Sequence, residues 1–393
     1  MDNIFLFLSM AFLLTFLIGR LIEKIRVPWI FGALIVGSLL ALYNPFAEIT
    51  SSATFGFLSQ LGMYFLLFII GFEIDLKEMK KKSSFIVKST FFIILLEAII
   101  GTVVIYFVFG QYISGAKWLI SFLVALSFAT VGEAVLIPIL DEFKIVNSRL
   151  GQTIIGIGLL DDIIEIFALI SIVIVVGSAA QSHFNIALTL VSLLALVALA
   201  VGFNRLGKEG AKFNFSSIET LFLLTLFVLF LFLGIGKFAE STPLAALLAG
   251  TSIRTFIPSE RLKLIESEIR TMCYGFFAPL FFLGVGVSID WGYLLAFPLL
   301  VLLVVAVSNG AKLLGSYIAT KKEFGTKKSL LLGIGLSVRF STSIVIIKIL
   351  FDNQVIGREL YSVIIASAIV FTFLVPVLFS NLLTKWNIIQ NPN

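Results

Sequence analysis

Two adjacent carboxylates, Asp161 and Asp162, lie in the middle of an apolar stretch running from Thr153 to Gly177, with Glu165 one turn further on. A charged side chain at mid-bilayer costs about 2.5–3.5 kcal/mol on insertion scales, so such groups face a polar cavity and handle ions or protons. Other ionisable residues are embedded in apolar sequence too: the acids Glu97 and Glu133 and the bases Lys312 and Arg339. Neighbours on a helix point about 100° apart, so Asp161 and Asp162 address different partners. One can turn toward a lysine while the other lines an ion cavity. Crowded carboxylates and a desolvated lysine change protonation readily, and such a trio can trade protons for a cation. The competing reading is a static ion-pair network that only fixes packing.

Two stretches could bring helix ends to these groups. Leu126–Leu140 carries Thr130, Gly132, Glu133 and Pro138 inside an apolar run. Gly333–Ile346 carries Gly333, Gly335, Ser337, Arg339, Ser341, Thr342 and Ser343. Gly and Pro weaken a helix interior, and hydroxyls satisfy the backbone groups that an interruption frees. In transporters built from inverted repeats, paired broken helices present half-helix ends to ions near mid-membrane. The alternative is a pair of ordinary helices with small residues for packing.

The elements that must hold these residues are membrane helices. The chain has 393 residues, 59% hydrophobic and 13% charged, with a mean hydropathy of +1.11. Soluble domains run nearer about 25% charged, and repeated apolar runs of about 20 residues suit a hydrocarbon core about 30 Å thick. Ten-residue alternating segments, the mark of a membrane β-barrel, are absent. The first run has no basic residues before it and is expected to be a retained helix. Cys273 and His183 are the only residues of their kinds, which excludes an internal disulfide and weakens any His-based metal site or proton relay. The sequence contains no P-loop, no His-Glu-x-x-His and no Gly-x-Ser-x-Gly motif.

Thirteen spans are expected: Ile4–Ile22, Pro28–Tyr43, Phe55–Phe72, Ser84–Gly110, Lys117–Leu140, Leu150–Gly177, Phe184–Phe203, Ile218–Gly236, Thr242–Arg254, Met272–Ile289, Trp291–Thr320, Lys328–Phe351 and Leu360–Thr384. Basic residues then gather on one side, as in Arg20, Lys24 and Arg26 after the first span or Lys321, Lys322, Lys327 and Lys328 after the eleventh. The positive-inside rule puts the N-terminus outside and the C-terminus in the cytoplasm.

The halves resemble each other. Leu67–Asp75 (LFIIGFEID) and Phe282–Asp290 (FLGVGVSID) share Gly-x-x-Ile-Asp at an offset of 215 residues. Gly32–Ala41 resembles Ala245–Arg254 at an offset of 213, and Leu126–Gly132 overlies Leu336–Thr342 at 210. Six helices repeated after one linker helix would start from the opposite membrane face. The expected fold is therefore an all-α membrane protein with thirteen transmembrane helices, two inverted six-helix repeats and two broken crossing helices. Residues 1–183 form the first repeat (1–43 scaffold, 55–177 core) and 184–216 the linker. Residues 217–393 form the second (217–254 scaffold, 272–384 core).

At this point the chain resembles the monovalent cation:proton antiporter superfamily. The resemblance rests on Gly158–Phe167 (GLLDDIIEIF), Gly71–Lys82 (GFEIDLKEMKKK), Thr130–Phe143 (TVGEAVLIPILDEF) and Pro279–Asp290 (PLFFLGVGVSID). The paired aspartates resemble its second, electrogenic branch of bacterial sodium/proton antiporters and potassium-efflux relatives. The resemblance implies that Asp162 is the cation- and proton-binding carboxylate and that Asp161 pairs with Lys312 of Asn309–Tyr317. It implies that Thr130 lends oxygens to the ion, and it makes Arg339 the arginine of a Pro-Arg-Gly-Glu-like stretch. That stretch reads Val338-Arg339-Phe340-Ser341 here, without proline or glutamate, so Glu133 is the expected partner of Arg339. Ser341 and Glu165 are supporting residues.

The expected function is electrogenic Na+/H+ antiport by elevator-type alternating access in a bacterial or archaeal cytoplasmic membrane, and the resemblance implies a homodimer joined through the scaffold helices Ile4–Tyr43 and Ile218–Arg254. Its partners are the lipid bilayer, a monovalent cation held at Asp162 and Asp161, and protons. No cofactor is expected beyond these transported ions, and no nucleic acid. The alternative within transport is K+/H+ exchange or K+ efflux. An intramembrane aspartyl protease is a remote third reading, since its two carboxylates must face each other from different helices.

Overall fold

The structure, a computed structural model, describes residues 3–73, 83–131, 133–179, 191, 194–203, 205, 217–238, 241–257, 259–339, 341–386 and 388. The side chains of some helical residues, Glu133, Asp162, Glu165 and Ser341 among them, lie outside that description. Among the described residues the chain is helical, with no strand beyond one isolated bridge between Ile113 and Ile356.

In chain order the helices are α1 (Ile4–Glu23), α2 (Phe31–Leu42), α3 (Ala53–Glu73), α4 (Ser84–Phe109), α5 (Lys117–Ala129), α6 (Glu133–Glu142), α7 (Arg149–Ala179) and α8 (Leu194–Phe203). There follow α9 (Ile218–Lys237), α10 (Thr242–Phe256), α11 (Ser259–Met272), α12 (Ala278–Val287), α13 (Pro298–Gly335), α14 (Ser341–Asp352) and α15 (Arg358–Lys385). Among the described residues, seven apolar helices are long enough to cross a bilayer: α1, α3, α4, α9, the run Ile265–Val287 through α11 and α12, α13 and α15. The other expected spans fall on shorter helices or on α7, whose apolar stretch carries three carboxylates. The linker helix expected over Phe184–Phe203 is described only at residues 191 and 194–203.

Local chemistry sets several boundaries. Ser83 and Ser217 cap α4 and α9 by accepting the N–H groups of Ile86 and Thr220, which satisfies donors that a helix start leaves open. The eleventh span, expected from Trp291, instead begins at Pro298 after a separate short helix, Trp291–Ala296. Proline is preorganised for the first helical turn and has no N–H to leave unsatisfied there. Within α13, Gly325 adopts φ 71° and ψ 176°. That is a left-handed position which glycine takes without strain, and it interrupts the helix between Lys322 and Lys327, where a polar connection is expected. Between α11 and α12, a π-helical turn covers Cys273–Phe277, and the Ala278 N–H bonds to the Cys273 carbonyl. Pro279 follows at once, and the wider turn relieves the clash its ring would make with the carbonyl four residues back.

Contacts divide the chain into two units. The first comprises Met1–Leu13, Ala33–Ile74 and Leu169–Val287. This differs from the expected scaffold and core, because α3 and α12 fall here together with α9 and α10. The cause is backbone proximity at glycines. A Cβ on Gly71 would lie 2.0 Å from the Leu247 carbonyl oxygen, and one on Gly250 would lie 2.0 Å from that of Phe68. Likewise Gly37 meets the Leu283 oxygen at 2.3 Å, and Gly286 meets that of Leu34 at 2.4 Å. Thus α3 packs on α10 through Gly71 and Gly250, and α2 packs on α12 through Gly37 and Gly286.

The second unit comprises Leu14–Gly32, Asp75–Ala168 and Ser288–Asn393. Ile94, Ala98, Ala129 and Ile164 bring α4, α5 and α7 together in an apolar cluster. At one end of the unit the α4–α5 connection is clasped to the α14–α15 connection. The Ser114 N–H donates to Val355 O at 3.0 Å and the Gly357 N–H to Tyr112 O at 2.7 Å, beside the Ile113–Ile356 bridge. Every described part of the candidate site belongs to this unit.

Candidate functional site

Both stretches expected to be interrupted are interrupted. The first breaks after α5, where Thr130 turns to an extended conformation (φ −71°, ψ 165°) before α6 begins at Glu133. The second breaks over Leu336–Arg339, between α13 and α14. The breaks meet. Thr130 Oγ1 lies 2.8 Å from Ser343 Oγ, and Arg339 Nη1 donates to the Thr130 carbonyl at 2.6 Å.

An interrupted helix leaves carbonyls open at one half-end and N–H groups at the other, with partial negative and positive charge respectively. The site meets both. At the carbonyl end of α5, the Lys312 ammonium donates to Ala129 O and Arg339 donates to Thr130 O. At the amide end, Asp161 Oδ2 accepts the Val131 N–H at 2.5 Å. Asp161, Lys312 and Arg339 are all fully buried.

Glu97, from the middle of α4 and 2% exposed, joins the two cations. Its Oε2 lies 2.9 Å from Lys312 Nζ, and its Oε1 accepts from Arg339 Nη2 at 2.5 Å and from the Ser308 hydroxyl. Arg339 Nη2 also donates to Ser308 Oγ at 2.7 Å. The guanidinium carbon lies 4.8 Å from the Phe128 ring centre and 5.2 Å from that of Phe371. The arginine backbone is held as well, its carbonyl accepting the Thr372 hydroxyl at 3.1 Å. Planar geometry lets one guanidinium serve a carbonyl, a carboxylate and a hydroxyl together. When all four groups are ionised, Glu97 and Asp161 cancel Lys312 and Arg339.

One expected pairing is corrected, and another falls outside the described side chains. Lys312 makes its ion pair with Glu97, and no Asp161–Lys312 ion pair occurs among the described residues. The described acidic partner of Arg339 is again Glu97; Glu133 lies on α6 with its side chain outside the description. Asp161 is buried with one oxygen on a backbone amide and the other, Oδ1, without a hydrogen-bond partner among the described residues. Asp162 and Glu165 lie on α7 and Ser341 opens α14, but their side chains are outside the described set. Thr130 sits at the break as expected, its hydroxyl shared between Ser127 O and Ser343 Oγ, both at 2.8 Å.

Beside Glu97 lies a cavity of about 20 Å3, lined by Glu97, Ser308, Gly101, Ala125, Phe128 and Val304 among others. One water needs about 10–15 Å3 on this scale, so there is space for one. Chemically, the site is a desolvated set of balanced charges around two helix breaks, with one carboxylate oxygen left over. Such a place can accept a small cation or a proton.

Known proteins share this chain's sequence and fold. The family profile described as "Sodium/hydrogen exchanger, transmembrane" matches residues 10–385. The chain is 24% identical over 375 residues to "Probable Na(+)/H(+) antiporter 3" of Methanocaldococcus jannaschii, covering 93% of each protein. It is 28% identical over 289 residues to "Glutathione-regulated potassium-efflux system protein KefC" of Cronobacter sakazakii, covering 70% of this chain and 43% of that one. The solved structure of the sodium proton antiporter MjNhaP1 from Methanocaldococcus jannaschii at pH 8 superposes with a TM-score of 0.61 at 18% identity. That match covers 97% of this chain and 96% of the other.

Proposed function

The chain belongs to the sodium/hydrogen exchanger transmembrane family, a family of transporters and not of enzymes, and from that premise we propose that it exchanges Na+ for protons across a membrane. The observation that carries the proposal is the buried, half-satisfied Asp161 carboxylate at the amide end of a helix break, with two cations on the carbonyl end. A cation entering beside Asp161 finds a free oxygen and a positive charge already assigned to other partners. Asp162, next on the same helix, is the shared cation and proton site in this reading, and Thr130 supplies further oxygens.

In the proposed cycle, Na+ from the cytoplasm displaces protons from the aspartate pair. A site-bearing bundle then moves against a scaffold bundle, and protons from outside release the ion. The exchange is electrogenic: one net charge per cycle is worth about 2.3 kcal/mol for each 100 mV of membrane potential. Inverted repeats are supported by the reciprocal glycine contacts. The equivalent residues Gly37 and Gly250 each pack on a helix carrying one of the equivalent pair Gly286 and Gly71. The protein works with its N-terminus outside, as a homodimer through scaffold helices, in a bacterial or archaeal cytoplasmic membrane. The reading as an aspartyl protease falls with family membership.

In everted vesicles, added Na+ should collapse an acid-inside pH gradient, and Asp162→Asn should abolish the response while the protein still folds. The similarity to KefC favours K+ as the second reading; a response to K+ alone would move the assignment there. No response to either ion refutes the proposal.

A further inference from the structure

Glu97 is the described side chain that ion-pairs with both cations of the site, yet the exchange just proposed makes no use of it. It is buried in mid-span on α4 and binds Lys312 through Oε2, and Arg339 and Ser308 through Oε1. The small cavity reaches it from one side only. Its lining residues on α4 (Gly101, Val104, Ile105) lie beyond Glu97 toward Phe109, and those on α13 (Val304, Val307, Ser308) lie before Lys312 toward Pro298. In the proposed orientation that is the outer half of the membrane, where protons enter.

We infer that Glu97 is a second proton-binding site, separate from the aspartate pair, and that Lys312 links the two by changing partner. With Glu97 ionised, Lys312 is held by Glu97 and the Ala129 carbonyl, and Asp161 Oδ1 is free for the cation. A proton placed on Glu97 Oε2 through the cavity removes the carboxylate charge facing Lys312. The lysine stays an ammonium and turns to Asp161, which shares the α5 break with it: Lys312 sits on the Ala129 carbonyl and Asp161 on the Val131 amide. It then occupies the oxygen the cation used, and the cation leaves. The other described charged groups near Glu97 are Arg339, which stays with Ser308 and the Thr130 carbonyl, and Asp161 on α7. Proton and cation thus compete from different carboxylates, and by linkage each weakens the other's binding by the same factor.

This inference rests on the antiport reading, and the experiment separates the two. The full-length protein, wild type, Glu97→Gln and Glu97→Gln/Lys312→Gln, is reconstituted in proteoliposomes, and Na+-dependent proton movement is followed against pH. Absence of exchange by the wild type sinks the antiport reading itself. Given a working wild type, Glu97→Gln mimics the protonated acid and should raise the KM for Na+ about tenfold or more, a typical coupling factor between linked sites. The double variant should return KM close to the wild-type value, because the competing ammonium is gone. A purely structural role would lower the amount of active protein with KM unchanged, or leave the second substitution unable to restore it; either result overturns the inference. Should Glu97→Gln not fold, infrared difference spectra of the wild type and Glu97→Asp on Na+ addition decide. A protonated-carboxyl band that shifts in Glu97→Asp supports the assignment, and one that is identical in both proteins refutes it.

Discussion

Replacing Arg339 by lysine and by methionine separates charge, geometry and packing at the centre of the site. Its guanidinium donates to Thr130 O at 2.6 Å, Glu97 Oε1 at 2.5 Å and Ser308 Oγ at 2.7 Å, so its two terminal nitrogens serve opposite sides. A lysine ammonium keeps the charge but is a single point and reaches one side only. Whichever side it chooses, at least one hydrogen bond to or from a charged group is lost, at about 1.5–3 kcal/mol. If Thr130 O is abandoned, a half-helix also loses the donor on its open carbonyl. Methionine fills much of the space between Phe128 and Phe371 but supplies neither donors nor charge. Glu97 then faces Lys312 alone, and breaking a buried pair from one side costs about 3–5 kcal/mol. The expected order of stability is wild type, then Arg339→Lys, then Arg339→Met. Equilibrium unfolding by SDS in mixed micelles, followed by helical circular dichroism, measures it. Were Arg339→Met as stable as Arg339→Lys, the buried ion pair would hold nothing together and the account of the site would be wrong.

Other substitutions test neighbouring parts of the argument. Gly71→Ala or Gly250→Ala puts a methyl 2.0 Å from a carbonyl oxygen of the facing helix. It should cost about 1–3 kcal/mol by overpacking, whereas Gly234→Ala, with no atom within 4 Å of the added carbon, should stabilise by up to about 1 kcal/mol; equal effects in the same unfolding assay would contradict the packing. Thr130→Val keeps shape but removes the hydroxyl shared by Ser127 O and Ser343 Oγ. A loss of about 1 kcal/mol in stability is expected, with a raised KM for Na+ in proteoliposomes, and an unchanged KM would remove Thr130 from the ion's coordination.

The parts of this site visible in the sequence are those whose signal is local. Gly132 and Pro138 mark one break, and Gly333, Gly335 and a run of hydroxyl residues mark the other; the helices stop at Ala129 and Gly335. Lys312 and Arg339 stand out because a charge in an apolar run has no local explanation. Partner choice is different. Glu97 and Asp161 are both buried acids on neighbouring helices, and which of them meets Lys312 depends on the rotation and depth of α4 and α7, which spacing within a single helix does not encode. The same holds for the grouping of α3 and α12 with α9 and α10. It follows from glycines on separate helices coming face to face, and one helix read alone shows only a small residue. Ser308 belongs with Glu97 in this respect, an ordinary serine until Arg339 is beside it.

The clasp formed by Ser114, Val355, Tyr112 and Gly357 has a bearing on how such a machine keeps its shape. Cys273 is the chain's only cysteine, so no covalent tie within the chain can hem its loops, yet two connections far apart in the chain are sewn by backbone amides at one rim of the unit. The seam is short and uses main-chain atoms alone, so side-chain substitutions leave its donors and acceptors intact. Slow deuterium uptake at Ser114 and Gly357, in step with the charged centre below them, would be the signature of a cradle that travels as one piece.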